Sequence, residues 1–284
     1  MQDGILSIQS AVAYGHVGNS AAVFPLQRLG FEVWPVNTVL FSNHTGYGAW
    51  RGRGVELGWV EEILAGIRDR GALPARCRAV LSGYLGDATL GQTVLDTVGE
   101  VRAARKDMVY ACDPVMGDEG RGFFVRPGIP EFFKARAVPA ADLVTPNQFE
   151  LAWLADQPIA SMEDAVAAAA KVAAAGPSIV VCTSLLVGPE DQLGILAHSA
   201  GSTWVVWTPK LPVTLNGTGD AFTALFLGHW LTTGRLDQTL ERAVSGMYAL
   251  VEATHEQRSR ELVLVAAQDQ LVNPRRQFRA ERVR

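Results

Sequence analysis

Short apolar runs alternate along this chain with longer stretches whose apolar positions recur at helical spacing. Continuous apolar runs are typical of strands buried on both faces of a parallel sheet, whereas a helical period indicates amphipathic helices. The apolar runs predict strands at residues 5–8, 31–36, 79–81, 108–112, 143–144 and 178–182. The periodic stretches predict helices at residues 20–29, 57–70, 91–105 and 165–175, and mostly helix from the loop at 216–220 to about residue 270.

This alternation predicts a doubly wound α/β fold, built as a three-layer α/β/α sandwich around a mostly parallel central sheet. Residues 194–198 and 203–207 are expected to pair as antiparallel strands. Because the chain shows no internal repeat, linker or break in composition, residues 1–284 are interpreted as one domain. Residues 273–284 are polar and basic, so we expect them to form a tail over the surface.

Composition narrows the class of protein. Hydrophobic residues make up 48% of the 284 positions, which suits a well-buried core, and the net charge of −4 favours neither nucleic acid nor an anionic membrane as a partner. Cys77, Cys112 and Cys182 lie far apart and share no metal-ligand spacing with the five histidines, so reduced structural thiols are expected. With no basic leader, and no apolar run of the roughly 20 residues that span a membrane, a cytoplasmic protein is expected.

The most informative stretch is Asn-Gly-Thr-Gly-Asp at residues 216–220, which an apolar run at helical spacing follows. Glycines let the backbone approach a ligand closely, and the free N–H groups at a helix start favour an anion such as a phosphate. Asp220 beside that phosphate could take a proton from an attacking hydroxyl. The alternative interpretation is an ordinary turn in which Asp220 is only a helix N-cap.

Polar side chains also follow the predicted strands, where ligands bind in sheets of this kind. The residues that share this position are Ser10, Thr45, Tyr84, Asp113, Thr145, Asn147, Glu150 and Thr183.

Seven segments together resemble the pyridoxal kinases of the ribokinase-like superfamily, in order and over nearly the whole chain. These segments are Ser-Ile-Gln-Ser at 7–10, residues 15–19, Phe-Ser-Asn-His-Thr-Gly-Tyr at 41–47, Leu-Ser-Gly-Tyr at 81–84, Cys-Asp-Pro-Val-Met-Gly-Asp at 112–118, Thr-Pro-Asn-Gln-Phe-Glu at 145–150 and Gly-Thr-Gly-Asp at 217–220. The resemblance implies ATP-dependent phosphorylation of the 5′-hydroxymethyl group of pyridoxal, and possibly of pyridoxine and pyridoxamine. It also implies a homodimer, Mg²⁺ and a monovalent cation, K⁺ or Na⁺.

The resemblance assigns catalytic roles to the glycine-rich loop. Gly217, Thr218 and Gly219 would donate backbone N–H groups to the phosphoryl group in transfer, and Asp220 would be the general base. Asp113, Asp118 and Glu150 are the candidate magnesium ligands, with Glu150 acting through water. Asp113 and Thr145 would contact the monovalent cation. The alternative for each carboxylate is an ordinary surface or capping role.

The resemblance also assigns the two substrates. Ser10 and Thr45 would hydrogen-bond the pyridine ring, Tyr84 would stack on it, and Val17 and His44 would line its pocket, although a lone loop histidine is as often structural. The residues assigned to the nucleotide are Asp113, Asp118, Asn147, Glu150, Thr183, Ser184, Lys210, Leu211 and Thr218. Some relatives carry a lysine where Thr183 stands, which leaves more of the phosphate charge to metal and backbone. Residues 117–124 are expected to form a flap over ATP, with Phe123 or Phe124 in contact with it.

Three other functions stay open at this point. A kinase for hydroxymethylpyrimidine or another small hydroxymethyl compound would use the same phosphoryl-transfer residues. A non-catalytic carrier of pyridoxal phosphate would need the pocket but no general base. A generic nucleotide-binding regulatory domain would explain the loop at 216–220 but not the pocket residues.

Overall fold

A ten-stranded sheet runs through the protein in this computed structural model, which describes residues 3–283. Its strands in chain order are β1 (Gly4–Tyr14), β2 (Glu32–Asn43), β3 (Gly52–Gly54), β4 (Cys77–Ser82), β5 (Val109–Cys112), β8 (Leu143–Val144), β9 (Ile179–Leu185), β10 (Gln192–Ser199), β11 (Ser202–Pro209) and β12 (Glu281–Arg282), with β6 (Gly117–Asp118) and β7 (Gly122–Phe123) forming a separate hairpin. The order across the sheet is β12-β11-β10-β9-β8-β5-β4-β1-β2-β3. The six adjacent strands β2, β1, β4, β5, β8 and β9 pair in parallel. Strand β3 at one edge, and strands β10, β11 and β12 at the other, pair antiparallel.

Helices cover both faces of this sheet. They are α1 (Asn19–Arg28), α2 (Leu57–Asp69), α3 (Ala88–Ala104), α4 (Ile129–Phe132), α5 (Val138–Ala140), α6 (Gln148–Ala155), α7 (Met162–Ala174), α8 (Thr218–Thr233), α9 (Leu236–Glu256) and α10 (Gln268–Val272). Helices α2 to α7 pack on one face around buried Leu64, Val94 and Phe133. Helices α1, α8, α9 and α10 pack on the other face around Leu26, Phe226 and Leu250. The predicted three-layer α/β/α architecture with a mostly parallel sheet is therefore confirmed.

Strand β1 is longer than its apolar run predicted. The strand was expected to end at Gln9 and Ser10, but it continues to Tyr14. A bulge makes this possible, because the pairing with β2 shifts between Gln9 and Ala11 and then continues. Ser10 therefore lies at an irregularity inside a strand rather than at a strand end, where a bulge can re-aim a side chain.

The last residues also differ from the expectation of a tail over the surface. Phe278 is only 9% exposed, and its ring lies 4.9 Å from that of Tyr248. Strand β12 then pairs with Trp204 and Val205 of β11. The segment is held by one buried aromatic side chain and by a sheet edge, features that its basic composition hides.

The remaining predictions concern thiols and membranes. Cys77, Cys112 and Cys182 are all buried and free, as expected. No helix within residues 3–283 is long and apolar enough to cross a membrane. The alanine-rich stretch forms α7, which Ser161 caps by accepting a hydrogen bond from the Asp164 N–H.

Candidate active site

A cleft of about 680 Å³ opens along the carboxyl ends of the parallel strands. All the residues that were assigned to catalysis, substrate, nucleotide or metal ions from the sequence line this cleft, whereas Phe123 of the predicted flap does not. These assigned residues are Ser10, Val17, His44, Thr45, Tyr84, Asp113, Asp118, Thr145, Asn147, Glu150, Thr183, Ser184, Lys210, Leu211, Gly217, Thr218, Gly219 and Asp220. The parallel topology brings them together, because it places the end of each strand at the same edge of the sheet.

The glycine-rich loop opens helix α8. Gly217 is the N-cap, with φ 83°, and a Cβ at this position would lie 1.8 Å from the carbonyl oxygen of His16. No side chain among the described residues caps the helix, so the N–H groups of Thr218, Gly219 and Asp220 are left free of helical acceptors. Asp220 is the third residue of the helix, so its alternative interpretation as the N-cap is wrong. Uncapped N–H groups at a helix start are the kind of donors that anions bind.

Three carboxyl groups lie close to this helix start. Burial raises the pKa of Asp113 well above its usual range, and the charges of Asp220 and Glu150 raise it further. Burial also raises the pKa of Asp220, against a backbone hydrogen bond from Gly18. Glu150 is 3% exposed, and its burial raises its pKa to about 7. Carboxyl groups in this condition favour either a proton or a nearby cation.

A pair of threonine hydroxyls connects the end of β8 to helix α8. The hydroxyl oxygens of Thr145 and Thr223 are 2.8 Å apart, and Thr223 donates to the Gly219 carbonyl at 2.9 Å. A Cβ on Gly219 would lie 3.7 Å from Asp113 Oδ2, which places that carboxylate against the first turn of the helix. Thr145 is therefore partly occupied by a hydrogen bond within the protein.

Glu150 has a structural role that its position in the sequence only partly indicated. It forms a capping box with Asn147 at the start of α6, in which its Oε2 accepts from the Asn147 N–H at 2.9 Å. Its Oε1 accepts from the N–H groups of Met116 and Gly117, at 2.8 and 3.3 Å. Glu150 thus ties α6 to the first residues of the predicted flap.

The donor set fits magnesium bound together with a nucleotide. Among residues 3–283, no group of three or more His, Cys, Asp or Glu side chains is arranged to hold a metal ion. Mg²⁺ needs only one or two carboxylates, because it keeps several waters and takes phosphate oxygens. Asp113 is buried with a raised pKa, and Asp118 is exposed at the cleft, so a cation placed between phosphate and these groups would stabilise their ionised forms.

The residues predicted to bind the ring lie within or just after three neighbouring strands. Ser10 is 7% exposed at the β1 bulge, Thr45 begins a 3₁₀ turn after β2, and Tyr84 follows β4. Burial raises the pKa of the Tyr84 phenol, so the ring stays neutral at physiological pH. Val17 adds an apolar contact surface to the same part of the cleft. One polar serine, one threonine and one aromatic face can together bind a small polar aromatic ring.

The predicted flap is a small hairpin of β6 and β7. Phe123 packs edge-on against Phe149 and Trp153, with ring centroids 5.1 Å apart in each case. Phe124 is 44% exposed, lines the cleft and lies under the guanidinium of Arg121. The two phenylalanines therefore divide between anchoring the hairpin on α6 and facing the cleft.

Several cleft residues were missed. Asn216 and Phe41 belong to segments singled out in the sequence but were assigned no role, whereas Met247 and Val251 follow ordinary core patterns. Glu261 was also missed, although its carboxylate contacts both His44 and Tyr47. Glu261 lies in the non-helical segment 257–267 between α9 and α10, which interrupts the stretch predicted to be mostly helical to about residue 270. No local motif marks this glutamate.

Known proteins share this whole architecture. A family model described as phosphomethylpyrimidine kinase matches residues 60–261. Pyridoxal kinase PdxY of Rubrobacter xylanophilus is 57% identical over 98% of this chain and 97% of its own, and the Deinococcus radiodurans protein of that name is 52% identical over 98% and 96%. The chain belongs to the pyridoxal kinase family.

A solved structure of the family agrees with this membership. Pyridoxal kinase from Leishmania donovani, in complex with ADP and pyridoxamine, superposes with a TM-score of 0.93 at 31% identity, covering 100% of both chains. The predicted ribokinase-like fold and the predicted membership of a kinase family are therefore confirmed.

Proposed function

We propose that this pyridoxal kinase family member transfers the γ-phosphoryl group of ATP to the 5′-hydroxymethyl group of pyridoxal, pyridoxine and pyridoxamine. The observation that carries the proposal is the position of Asp220, in the first turn of a helix that no side chain of the described residues caps, in the same cleft as Ser10 and Tyr84. A pure carrier of pyridoxal phosphate would need no general base, and it would not need a helix start for phosphoryl transfer beside the predicted ring pocket. The names of the family relatives support the same substrates.

The chemistry needs positioning and charge stabilisation more than covalent help. Asp220 would accept the proton of the substrate hydroxyl while the oxygen of that hydroxyl attacks the γ-phosphorus of ATP and ADP leaves. The N–H groups of Thr218 and Gly219 would stabilise the charge on the transferred group, as donors at a helix start do. The burial that raises the pKa of Asp220 makes its carboxylate a stronger base.

The cations and nucleotide would occupy the other side of the helix start. Asp113 and Asp118 would hold Mg²⁺, with Glu150 reaching it through water, and the metal would neutralise charge on the nucleotide phosphates. A monovalent cation would use oxygens of Asp113 and Thr145. The proposed nucleotide contacts are Asn147, Thr183, Ser184, Lys210 and Leu211, all of which line the cleft.

We also propose that the protein acts as a single kinase domain that forms a homodimer in the cytoplasm. Large exposed apolar side chains are concentrated between residues 14 and 63, among them Tyr14, Trp50 and Trp59, which are 63%, 47% and 63% exposed. Large exposed apolar side chains favour association with a second copy. Trp59→Glu should shift sedimentation equilibrium toward monomer, whereas Val265→Glu, at a site 64% exposed elsewhere, should not.

The first test incubates the protein with ATP, Mg²⁺ and each of pyridoxal, pyridoxine, pyridoxamine and hydroxymethylpyrimidine, with products read by mass spectrometry. Asp220→Asn should lower the rate by roughly 10²-fold or more, because it removes the general base. Asp69→Asn, at an exposed aspartate ending α2, is the matched control and should keep full activity.

Other outcomes would redirect the proposal. Turnover of the pyrimidine alone would keep the mechanism and overturn the choice of ring. Tight binding of pyridoxal phosphate without any turnover would favour the carrier.

A further inference from the structure

One glutamate outside the proposed catalytic set joins two loops of the cleft. Glu261 lies between α9 and α10, and its side chain is 12% exposed. Its Oε1 lies 2.9 Å from His44 Nε2 and accepts from the Tyr47 hydroxyl at 2.6 Å. Its Oε2 accepts from the backbone N–H of His16 at 3.1 Å. The two loops that carry Val17 and His44, both predicted to line the ring pocket, are therefore held by one carboxylate.

The neighbouring residue strengthens this attachment. Arg260 donates to the carbonyl of Gly46 at 3.0 Å, and its guanidinium lies 4.0 Å from the centre of the Tyr47 ring. The hydrogen bond to Glu261 is also the main cause that raises the pKa of Tyr47 to about 12. Tyr47 thus stays a neutral donor to Glu261 at any physiological pH.

His44 is the residue on which these contacts have a chemical consequence. It is 5% exposed, it lines the cleft, and its Nδ1 has no hydrogen-bond partner among residues 3–283. A carboxylate can only accept hydrogen bonds, so the proton of a neutral His44 must lie on Nε2. Nδ1 then carries a lone pair. An unpaired buried acceptor is costly unless a ligand supplies its donor.

A glycine packs closely beside this nitrogen. A Cβ on Gly46 would lie 2.9 Å from His44 Nδ1 and 2.8 Å from Nδ2 of Asn216, another cleft residue. A side chain at residue 46 would therefore displace one or both of these polar atoms.

We propose that Glu261 is a positioning residue that holds His44 with its proton on Nε2, so that Nδ1 accepts a hydrogen bond from a hydroxyl or N–H group of the ring substrate. The substrate part of this inference rests on the proposed function. The tautomer part does not, because it concerns the protein without ligands.

The test compares wild type with Glu261→Gln, Tyr47→Phe and Glu256→Gln, an exposed glutamate at the end of α9. Long-range ¹H–¹⁵N spectra of the histidines, recorded without substrates at mildly alkaline pH, locate the His44 proton. Wild type, Tyr47→Phe and Glu256→Gln should carry it on Nε2 alone. Glu261→Gln should place a fraction of it on Nδ1, because an amide can also donate to Nε2.

Kinetics then connect the tautomer to the substrate. Glu261→Gln should raise KM for pyridoxal roughly 10-fold, the loss expected for one hydrogen bond to a buried polar group, with KM for ATP unchanged. Equal changes in both KM values would indicate a merely structural role and overturn the proposal.

The spectra decide the inference even where Glu261→Gln does not fold. A wild-type His44 that is protonated on Nδ1, or on both nitrogens, would overturn it. Failure of wild type to phosphorylate any vitamer would instead overturn the proposed function, and the position of the His44 proton would still decide the role of Glu261.

Discussion

Replacing Gly217 with alanine tests the anion site at the start of α8. Gly217 has φ 83°, a conformation that costs a residue with a Cβ roughly 1–2 kcal/mol. The added Cβ would also lie 1.8 Å from the His16 carbonyl oxygen, a backbone atom that cannot rotate away. Because real contacts of a Cβ stay beyond about 3.0 Å, the two segments must separate by more than an ångström.

That displacement should affect catalysis more than folding. A shift of roughly 1 Å in a catalytic group can cost about 10²-fold in rate. We therefore expect Gly217→Ala to lower kcat for pyridoxal by about 10²-fold and the free energy of unfolding by at least about 2 kcal/mol. Initial rates at saturating ATP and urea denaturation give the two quantities.

The other end of the same helix supplies a matched control. Gly234 also has positive φ, 61°, but a Cβ there would meet no atom of the described residues within 4 Å. Gly234→Ala should lose only about 1 kcal/mol of stability and keep the wild-type kcat. If Gly217→Ala had the same kcat as Gly234→Ala, the placement of the anion site at this turn would be refuted.

Three further perturbations address stability and the flap. Burial, and then the charge of Arg242, lower the pKa of His229 to about 4, so the folded state binds fewer protons than the unfolded state below pH 6.5. Stability should fall by up to about 3 kcal/mol as the pH drops from about 6.5 to about 4, and urea titrations of His229→Gln should lack this loss. Phe278→Ala should cost about 3 kcal/mol in denaturation experiments without changing kcat, because it empties a buried contact with Tyr248. Phe123→Ala removes two edge-on ring contacts, each worth about 0.5–1.5 kcal/mol, which anchor the predicted flap on α6. Because that flap is expected to cover ATP, KM for ATP should rise about 10-fold in steady-state assays.

The polar residues that line the cleft could be predicted because they depend on local patterns. Asp113 and Thr145 each follow a short apolar run, and parallel pairing of those runs is enough to bring their ends together. The loop at 216–220 could be predicted for the same reason, because its glycines and the apolar run after it lie within one helical turn of each other.

The features that were missed depend on contacts between distant parts of the chain. The continuation of β1 past Ser10 requires a register shift against β2, which the residues of β1 do not encode by themselves. Phe278 is a single aromatic residue in a basic segment, and its burial requires the ring of Tyr248. Glu261 lies among charged residues that are typical of an exposed helix end, and His44 is 217 positions away.

Glu261 also explains how the predicted ring-binding loops and the proposed phosphate-binding turn can keep a fixed geometry. Its Oε2 holds the His16 N–H, and the carbonyl of that same residue lies against the α-carbon of Gly217. Oε1 holds His44 in the other loop. His16 contacts both Glu261 and Gly217. The predicted ring pocket therefore cannot move relative to the start of α8 without breaking a buried hydrogen bond or forcing His16 and Gly217 to clash. In-line transfer depends on this distance, because the substrate hydroxyl must meet the phosphoryl group near the first turn of α8.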